Sequence, residues 1–208
     1  MAYPRVLLIG GPPGAGKTSV ARGGAAELGY ASLSVDDLVI TGRALTTPES
    51  HPALQPMRGR GHTAYFTETP PEALIADSAA VADAMWPAVH RVIRGHATVN
   101  APTTIDWWLL SPTRVAEMDI DGVMSVWLHV DPDVLEARER LNKDFLADSP
   151  DPERMLSNFM ARSRWRNELI ARQAEGHGLP VLRQTGNETI DDVVAATLAL
   201  MSSRASGR

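Results

Sequence analysis

Residues 11–18 spell Gly-Pro-Pro-Gly-Ala-Gly-Lys-Thr, a complete G-x-x-x-x-G-K-[ST] loop, and no other feature narrows the possible folds so far. The apolar run Val6-Leu7-Leu8-Ile9 leads into it and Ser19-Val20-Ala21-Arg22 leads out, which is the strand-loop-helix setting that the spacing requires. Gly11, Gly14 and Gly16 reach backbone conformations closed to residues with a Cβ, so the loop can turn its N–H groups inward around a polyphosphate. Lys17 adds a point charge for the β- and γ-phosphates, Thr18 can place its hydroxyl on Mg²⁺, and the dipole of the helix that starts here favours the same anion. Gly11, Pro12, Pro13, Gly14, Ala15, Gly16, Lys17, Thr18 and Ser19 are therefore the candidate nucleotide-binding set. The plain alternative is a Gly-rich turn before a helix, and the flanking strand and helix patterns argue against it.

Length and composition bound the rest. The 208 residues suit one α/β domain with room for a small insertion. There is no cysteine, hence no disulfide framework and no thiolate metal site, and the six histidines lack ligand-like spacing. The first residues lead straight into strand one without a signal-peptide pattern, and no apolar run approaches the ~20 residues that span a bilayer, so a cytoplasmic protein without a membrane partner is expected. A net charge of −5 argues against broad binding to nucleic-acid backbone. Oligomeric state has no signature in the sequence.

Strand and helix patterns alternate along the chain. A first helix is predicted over 18–28, stopped by Gly29, and a second strand over 31–35, with Asp36-Asp37 at its carboxyl end. Residues 42–70 are rich in Pro, Gly and Thr and too long for a plain connector, which suggests a substrate-facing excursion. Thr69-Pro70-Pro71-Glu72 has the form of a capping box opening a helix to about Arg94, kinked at Pro87. Strands are predicted over 103–108, 122–130 and 179–182, with Ser111-Pro112 and Asp131-Pro132 as helix starts. Arg138 and Arg140 fall on one helix; after the break at 148–152, Arg154, Arg162, Arg164 and Arg166 fall on a second, over 153–175. Two arginine-bearing helices around a Pro-Asp break have the form of a lid over 138–166. A turn at Thr185-Gly186-Asn187, a closing helix over 189–201 and a frayed tail from Ser202 to Arg208 complete the reading.

On the loop at 11–18, the acidic pair after strand two, the arginine-rich lid and the final strand with its Thr-Gly-Asn turn, the chain resembles P-loop small-molecule kinases of the nucleoside monophosphate kinase-like superfamily over nearly its whole length. Asn142-Lys143-Asp144-Phe145 and Phe159-Met160-Ala161-Arg162-Ser163-Arg164 are similar, more narrowly, to the lid of 2-phosphoglycerate kinase-like proteins. The fold so implied is a three-layer α/β P-loop NTPase fold: a central parallel sheet of about five strands, helices on both faces and a helical lid, all in one domain.

Chemistry is expected beyond the carboxyl ends of the strands, where ligands bind in open α/β sheets. Asp36 or Asp37 can accept a proton from an acceptor hydroxyl or hold a magnesium-bound water, and the resemblance favours Asp36 as base and Asp37 as a substrate contact. The plain alternative is that Asp36 caps a short helix begun by Asp37-Leu38-Val39. Asp106 can orient Mg²⁺ through water, although its short strand carries two threonines where such carboxylates usually follow a long apolar run. Trp107 and Trp108 are read as packing residues or as acceptor-pocket walls.

Phosphoryl transfer needs cationic charge on the moving group, and a well-placed arginine contributes on the order of 10³–10⁵ in rate. The resemblance implies Arg138 for the phosphates, with Arg162 and Arg166 next; the remaining arginines are expected in exposed ion pairs with Glu136, Glu139, Glu153 or Glu168. Arg43, Arg58, Arg60 and His62 of the excursion suit a phosphorylated or carboxylated acceptor through bidentate guanidinium contacts, or else belong to a solvated loop.

The expectation is an ATP- and Mg²⁺-dependent phosphotransferase acting on a small-molecule acceptor, with Lys17, Asp36 and Arg138 as catalytic residues and Thr18, Asp36 and Asp106 around the metal. No N-K-x-D guanine-reading segment is present, and Gly186 in the turn after the last strand suits an adenine pocket by resemblance. The alternatives are a non-catalytic ATP-binding switch or ATPase module, and a nucleoside, nucleotide or polynucleotide 5′-kinase.

Overall fold

The computed structural model describes residues 3–206. Its centre is β1 (Val6–Gly10), buried from end to end because it lies inside a wholly parallel sheet covered on both faces. The pleat divides this strand between two cores. Leu7 and Ile9 pack with Val20 of α1 (Lys17–Leu28) and Val194 of α9 (Ile190–Ser206); Val6 and Leu8 pack with Val89 and Ile93 of α4 (Pro71–Thr98). The sheet order is β2-β3-β1-β4-β5, from β2 (Ala31–Ser34), β3 (Thr103–Trp107), β4 (Val123–Val130) and β5 (Val181–Gln184). This is the three-layer, five-stranded parallel architecture that the sequence implies.

Local chemistry sets the boundaries that position the site. Gly16 (φ 78°) and Gly29 (φ 66°) bracket α1 in left-handed conformations, the second donating its N–H to Ala25 O as a C-terminal cap. Ser111 caps α5 (Pro112–Ala116) by accepting from the Arg114 N–H, and Asp151 does the same for Arg154 at the start of α8 (Pro152–Gly176). Thr103 and Thr104, the two threonines in β3, are fully buried without cost because their hydroxyls donate to Ala31 O at 3.1 Å and Ala21 O at 3.0 Å.

Several boundaries differ from the sequence reading. The excursion at 42–70 is less irregular than its composition suggests: α2 (Val35–Ala44) runs into it, a 3₁₀ turn covers Pro52–Leu54, and α3 (His62–Glu68) closes it, with Tyr65 and Phe66 buried. Thr69 does not cap α4, since Pro70 is the residue before the helix and the Thr69 hydroxyl is buried without a partner. Gly95 fails to stop that helix, which continues to Thr98, and Pro87 is accommodated within it. β5 lies two residues later than expected because Pro180, which has no N–H, serves instead as carbonyl acceptor for Trp127 N at the strand entrance. α9 continues through the expected tail to Ser206; residues 207–208 of that tail lie outside the described residues.

The segment expected as a lid divides in two. α6 (Pro132–Arg140) and α7 (Lys143–Leu146) lead to a break at 147–151 and then to an exposed first turn of α8 at 152–154. From Met155 onward, however, α8 is a core helix packed against α3, α4 and β4. Asn167 fixes it there by accepting from Val130 N at 3.1 Å and donating to Val130 O at 2.7 Å. Among the described residues no helix is long and apolar enough to cross a membrane.

Candidate active site

The strand-to-helix loop lies at the carboxyl end of β1, between β3 and β4. Gly14 (φ 76°) is the tightest point: a Cβ there would stand 2.5 Å from Glu139 Oε1 and 2.9 Å from Leu135 Cδ1, both on α6. The loop is braced from β5, where buried Gln184 donates from Nε2 to Ala15 O at 3.0 Å and accepts from Arg138 Nη1 at 3.0 Å. Arg138 Nη1 also donates to Gly14 O at 3.3 Å, so this arginine stands against the phosphate loop. Gly186 (φ 96°) turns the chain after β5, close to Val134 of α6.

Lys17 is buried and its ammonium donates to Pro12 O at 2.8 Å. Burial lowers its pKa to about 8, against the pull of Asp36, Asp106 and Glu139, which favour the charged amine. Thr18 Oγ1 donates to Asp106 Oδ2 at 2.9 Å, and Ser34 Oγ reaches the same oxygen at 3.5 Å. The pairing register explains the meeting: Asp106 stands beside Ile9 of β1 and Ser34 of β2. Burial raises the pKa of Asp106, with the Thr18 hydroxyl and Lys17 opposing the rise. Its Oδ1 is buried and has no hydrogen-bond partner, an acceptor left over for something that binds beside Thr18. That donor set, one hydroxyl and one carboxylate at the rim of a phosphate loop, fits Mg²⁺ held largely by phosphate oxygens and water. Among the described residues no cluster of three or more carboxylate or histidine ligands exists to cage a metal instead.

A cavity of about 440 Å³ opens beside the loop, with Pro13, Lys17 and Asp36 at the phosphate end. Asp36 falls in the first turn of α2, whose flanking N-terminal residue is Ser34, so it does not cap that helix. Asp36 is itself exposed to solvent; its partial desolvation beside the loop raises its pKa, Lys17 lowers it and Asp106 raises it further. The rest of the wall comes from distant parts of the chain: Arg43 of α2, Tyr65 and Phe66 of α3, Asp77 of α4, Trp107 and Trp108 at the end of β3, and Phe159 and Arg162 of α8.

Arg43 lines the cavity with its Nε donating to Leu54 O at 2.8 Å. Arg58, Arg60 and His62 are exposed and outside the wall: Arg60 lies over the Tyr65 ring and His62 against Phe145. Asp37 is exposed and likewise outside it. Arg166, expected among the ligand-facing arginines, donates from Nε to Trp108 O at 3.0 Å and from Nη2 to Leu110 O, which makes it a strut between α8 and the end of β3. The expected ion pairs form between Arg140 and Glu136, Arg140 and Glu153, and Arg164 and Glu136. Glu168 and Glu139 are the exceptions: Glu168 Oε1 meets His129 Nε2 at 3.1 Å, and Glu139 is buried against Gly14, where burial raises its pKa. Gln184, Asp77 and Tyr65 also belong to the site, and no sequence spacing singles them out.

No family model and no curated protein matches the chain. Solved structures resemble it over nearly the whole length. Shikimate kinase from Acinetobacter baumannii in complex with shikimate is 18% identical with a TM-score of 0.56, covering 98% of this chain and 95% of that one. A sugar kinase from Janibacter sp. HTCC2649 is 16% identical with a TM-score of 0.56, covering 95% and 94%. A gluconokinase from Sinorhizobium meliloti 1021 is 16% identical with a TM-score of 0.54, covering 99% and 96%. The chain therefore has the P-loop kinase fold of nucleoside monophosphate kinase-like proteins. The narrower resemblance to 2-phosphoglycerate kinase-like proteins finds no support in these comparisons.

Proposed function

We propose that this protein is an ATP- and Mg²⁺-dependent phosphotransferase that acts in the cytoplasm on the hydroxyl of a small molecule. The observation that carries the reading is Asp36: it lines, together with Lys17, the one end of the cavity where the phosphate loop and an acceptor pocket meet. A nucleotide switch has no need of a carboxylate there. Its raised pKa suits a group that receives a proton, since a base is most effective when its pKa moves toward the working pH.

In this reading the loop N–H groups and Lys17 hold the β- and γ-phosphates of ATP, and Arg138, already on Gly14 O, adds charge beside them. Thr18 and the unpartnered Asp106 Oδ1 would hold Mg²⁺, which would neutralise phosphate charge there. Asp36 accepts the proton of the acceptor hydroxyl as that oxygen bonds to the γ-phosphorus and the bond to the β-phosphate oxygen breaks. Arg43 and Arg162 face the acceptor. The stretch at 141–154 closes as a lid over the reacting groups, and Gly186 belongs to the turn beside the adenine. The neighbours whose names include shikimate kinase, gluconokinase and sugar kinase support a small-molecule acceptor. A charge of −5 weighs against a polynucleotide.

The test is transfer of labelled γ-phosphate from ATP to a panel of hydroxy acids, sugars, nucleosides and antibiotics, with Asp36→Asn as control. Acceptor-dependent transfer that the variant lacks is the expected result. A melting temperature unmoved by Mg-ATP in the wild type overturns the reading at its first step, because saturation to 100 times Kd contributes about 2.7 kcal/mol.

A further inference from the structure

Arg162 is 6% exposed, yet among the described residues it forms no hydrogen bond and no ion pair. Its guanidinium lies over three rings, 4.9 Å from Phe66, 4.6 Å from Trp108 and 4.9 Å from Phe159, and its Nε is buried without a partner. Rings can satisfy the faces of a guanidinium but not its N–H edge, and a buried cation with an unanswered edge is costly unless an anion arrives. That edge belongs to a residue of the cavity wall.

The wall between Arg162 and Asp36 is equally informative. Val39, Ile40, Met57, Val81 and Leu109 are apolar. Of the polar groups among them, the Tyr65 hydroxyl donates to Asp77 Oδ2 at 2.8 Å and the Ser78 hydroxyl to Leu74 O at 2.7 Å, Arg43 is held at Nε by Leu54 O, and the indole N–H of Trp107 is buried without a partner. A polyol bound here would leave most of its hydroxyls unanswered, at a cost of about 1–3 kcal/mol for each buried one. Among the described residues Arg162 is the buried cation of this wall that no hydrogen bond answers, which suits one carboxylate, and the nearby carboxylates of Asp36 and Asp77 oppose a dianion.

We infer that the acceptor is a hydroxy-carboxylic acid with an apolar body, its carboxylate on the N–H edge of Arg162 and its hydroxyl toward Asp36. The inference rests on the phosphotransferase reading and narrows it. It also sets this pocket apart from those of a polyhydroxylated substrate such as gluconate.

Calorimetry in the presence of a non-hydrolysable ATP analogue tests it, with para-hydroxymethylbenzoate, its primary amide, para-hydroxymethylphenyl phosphate and gluconate as probes. The carboxylate is expected to bind roughly 10- to 100-fold more tightly than the amide, the range of a charge-assisted pair, and more tightly than the phosphate ester or gluconate. Arg162→Met should abolish the preference for acid over amide while lowering the melting temperature far less than loss of a hydrogen-bonded strut would, since rings and no hydrogen bond hold the guanidinium it removes; Arg162→Lys should restore part of the preference. Equal binding of acid and amide, tighter binding of gluconate or the phosphate ester, no binding of any probe, or a melting temperature that collapses in Arg162→Met overturns the inference. Because Mg-ATP stabilisation of the wild type is measured separately, such a failure leaves the phosphotransferase reading standing, whereas loss of that stabilisation removes both.

Discussion

Arg162 and Arg166 lie one turn apart on α8 and are equally buried, at 6% exposure each, but they are satisfied in opposite ways. Arg166 is answered by two carbonyls of the chain, Trp108 O and Leu110 O, and so joins α8 to the end of β3. Arg162 lines the cavity with its faces answered by rings and its Nε buried without a hydrogen-bond partner. Burial alone would place both in the same category. The accounting of donors separates scaffold from site, because a buried N–H without a protein partner points to one that comes from outside. The phosphate end makes the same point: Lys17 is held by Pro12 O, while Asp106 keeps one oxygen in reserve.

The largest effects should come from that phosphate end. Asp36→Asn should lower turnover by about 10²–10⁴, the usual worth of a positioned base, while leaving the Mg-ATP shift in melting temperature nearly intact. Lys17→Ala should lower turnover by about 10²–10³ and shrink the nucleotide shift as well. Turnover and thermal shift measured on the two variants side by side show whether they hold different functions. If Asp36→Asn transfers phosphate at the wild-type rate, the base lies elsewhere and the carboxylate is an ordinary first-turn residue.

The next effect breaks or sharpens the comparison directly. Arg166→Ala strands two buried carbonyls that accept from a charged group, which should cost about 3 kcal/mol. In a chain of this size that is a fall in melting temperature of roughly 6–12 °C. Arg162→Met should produce no such fall. If the two variants melt alike, donor accounting does not distinguish their roles, and Arg162 is as structural as Arg166.

What the sequence disclosed follows the same division. The loop, the strand before it and the helix after it are specified by contiguous residues, so spacing alone located the phosphate end. The resemblance carried the five-stranded parallel sheet. The cavity wall is assembled from α2, α3, α4, the end of β3 and α8, and no local pattern announces that Asp77, Tyr65 and Arg162 line it together. Gln184 and Glu139 are similar cases: a glutamine at a strand end and a glutamate among exposed charges acquire meaning only when β5 and α6 are laid against the loop. Arg166 shows the converse, since arginine spacing on α8 gives no indication of which one meets carbonyls.

A smaller effect concerns pH. Burial sets the Lys17 pKa at about 8, below its ordinary 10.5, so the folded protein holds this proton less firmly than the unfolded chain does. The resulting destabilisation is fully present below pH 8 and is relieved as pH rises from there to about 10.5. Nucleotide affinity runs the other way. A polyphosphate favours the charged amine, so binding takes up a proton wherever free Lys17 has lost it, and affinity should be level below pH 8 and fall up to tenfold per unit above it. Calorimetry in buffers of different ionisation enthalpy reads that uptake, and its absence at pH 9 would mean that Lys17 does not contact the phosphates.

The smallest effect is expected from the excursion, and it tests whether charge in the right stretch of sequence is charge in the site. Arg58 and Arg60 are exposed and do not line the cavity, and Arg60 is already placed over the Tyr65 ring. Arg43, from the same stretch of sequence, does line it. Exposed charges are screened and interact weakly, so Arg58→Ala and Arg60→Ala should leave the acceptor KM within about twofold. Arg43→Ala should raise it by more, because its guanidinium faces the cavity while its Nε is held by Leu54 O. A KM that rises tenfold or more in Arg58→Ala or Arg60→Ala would mean that residues 58–62 fold inward when the acceptor binds. The wall described here would then be that of the open cavity, and the division between answered and unanswered cations would have to be drawn again for the closed one.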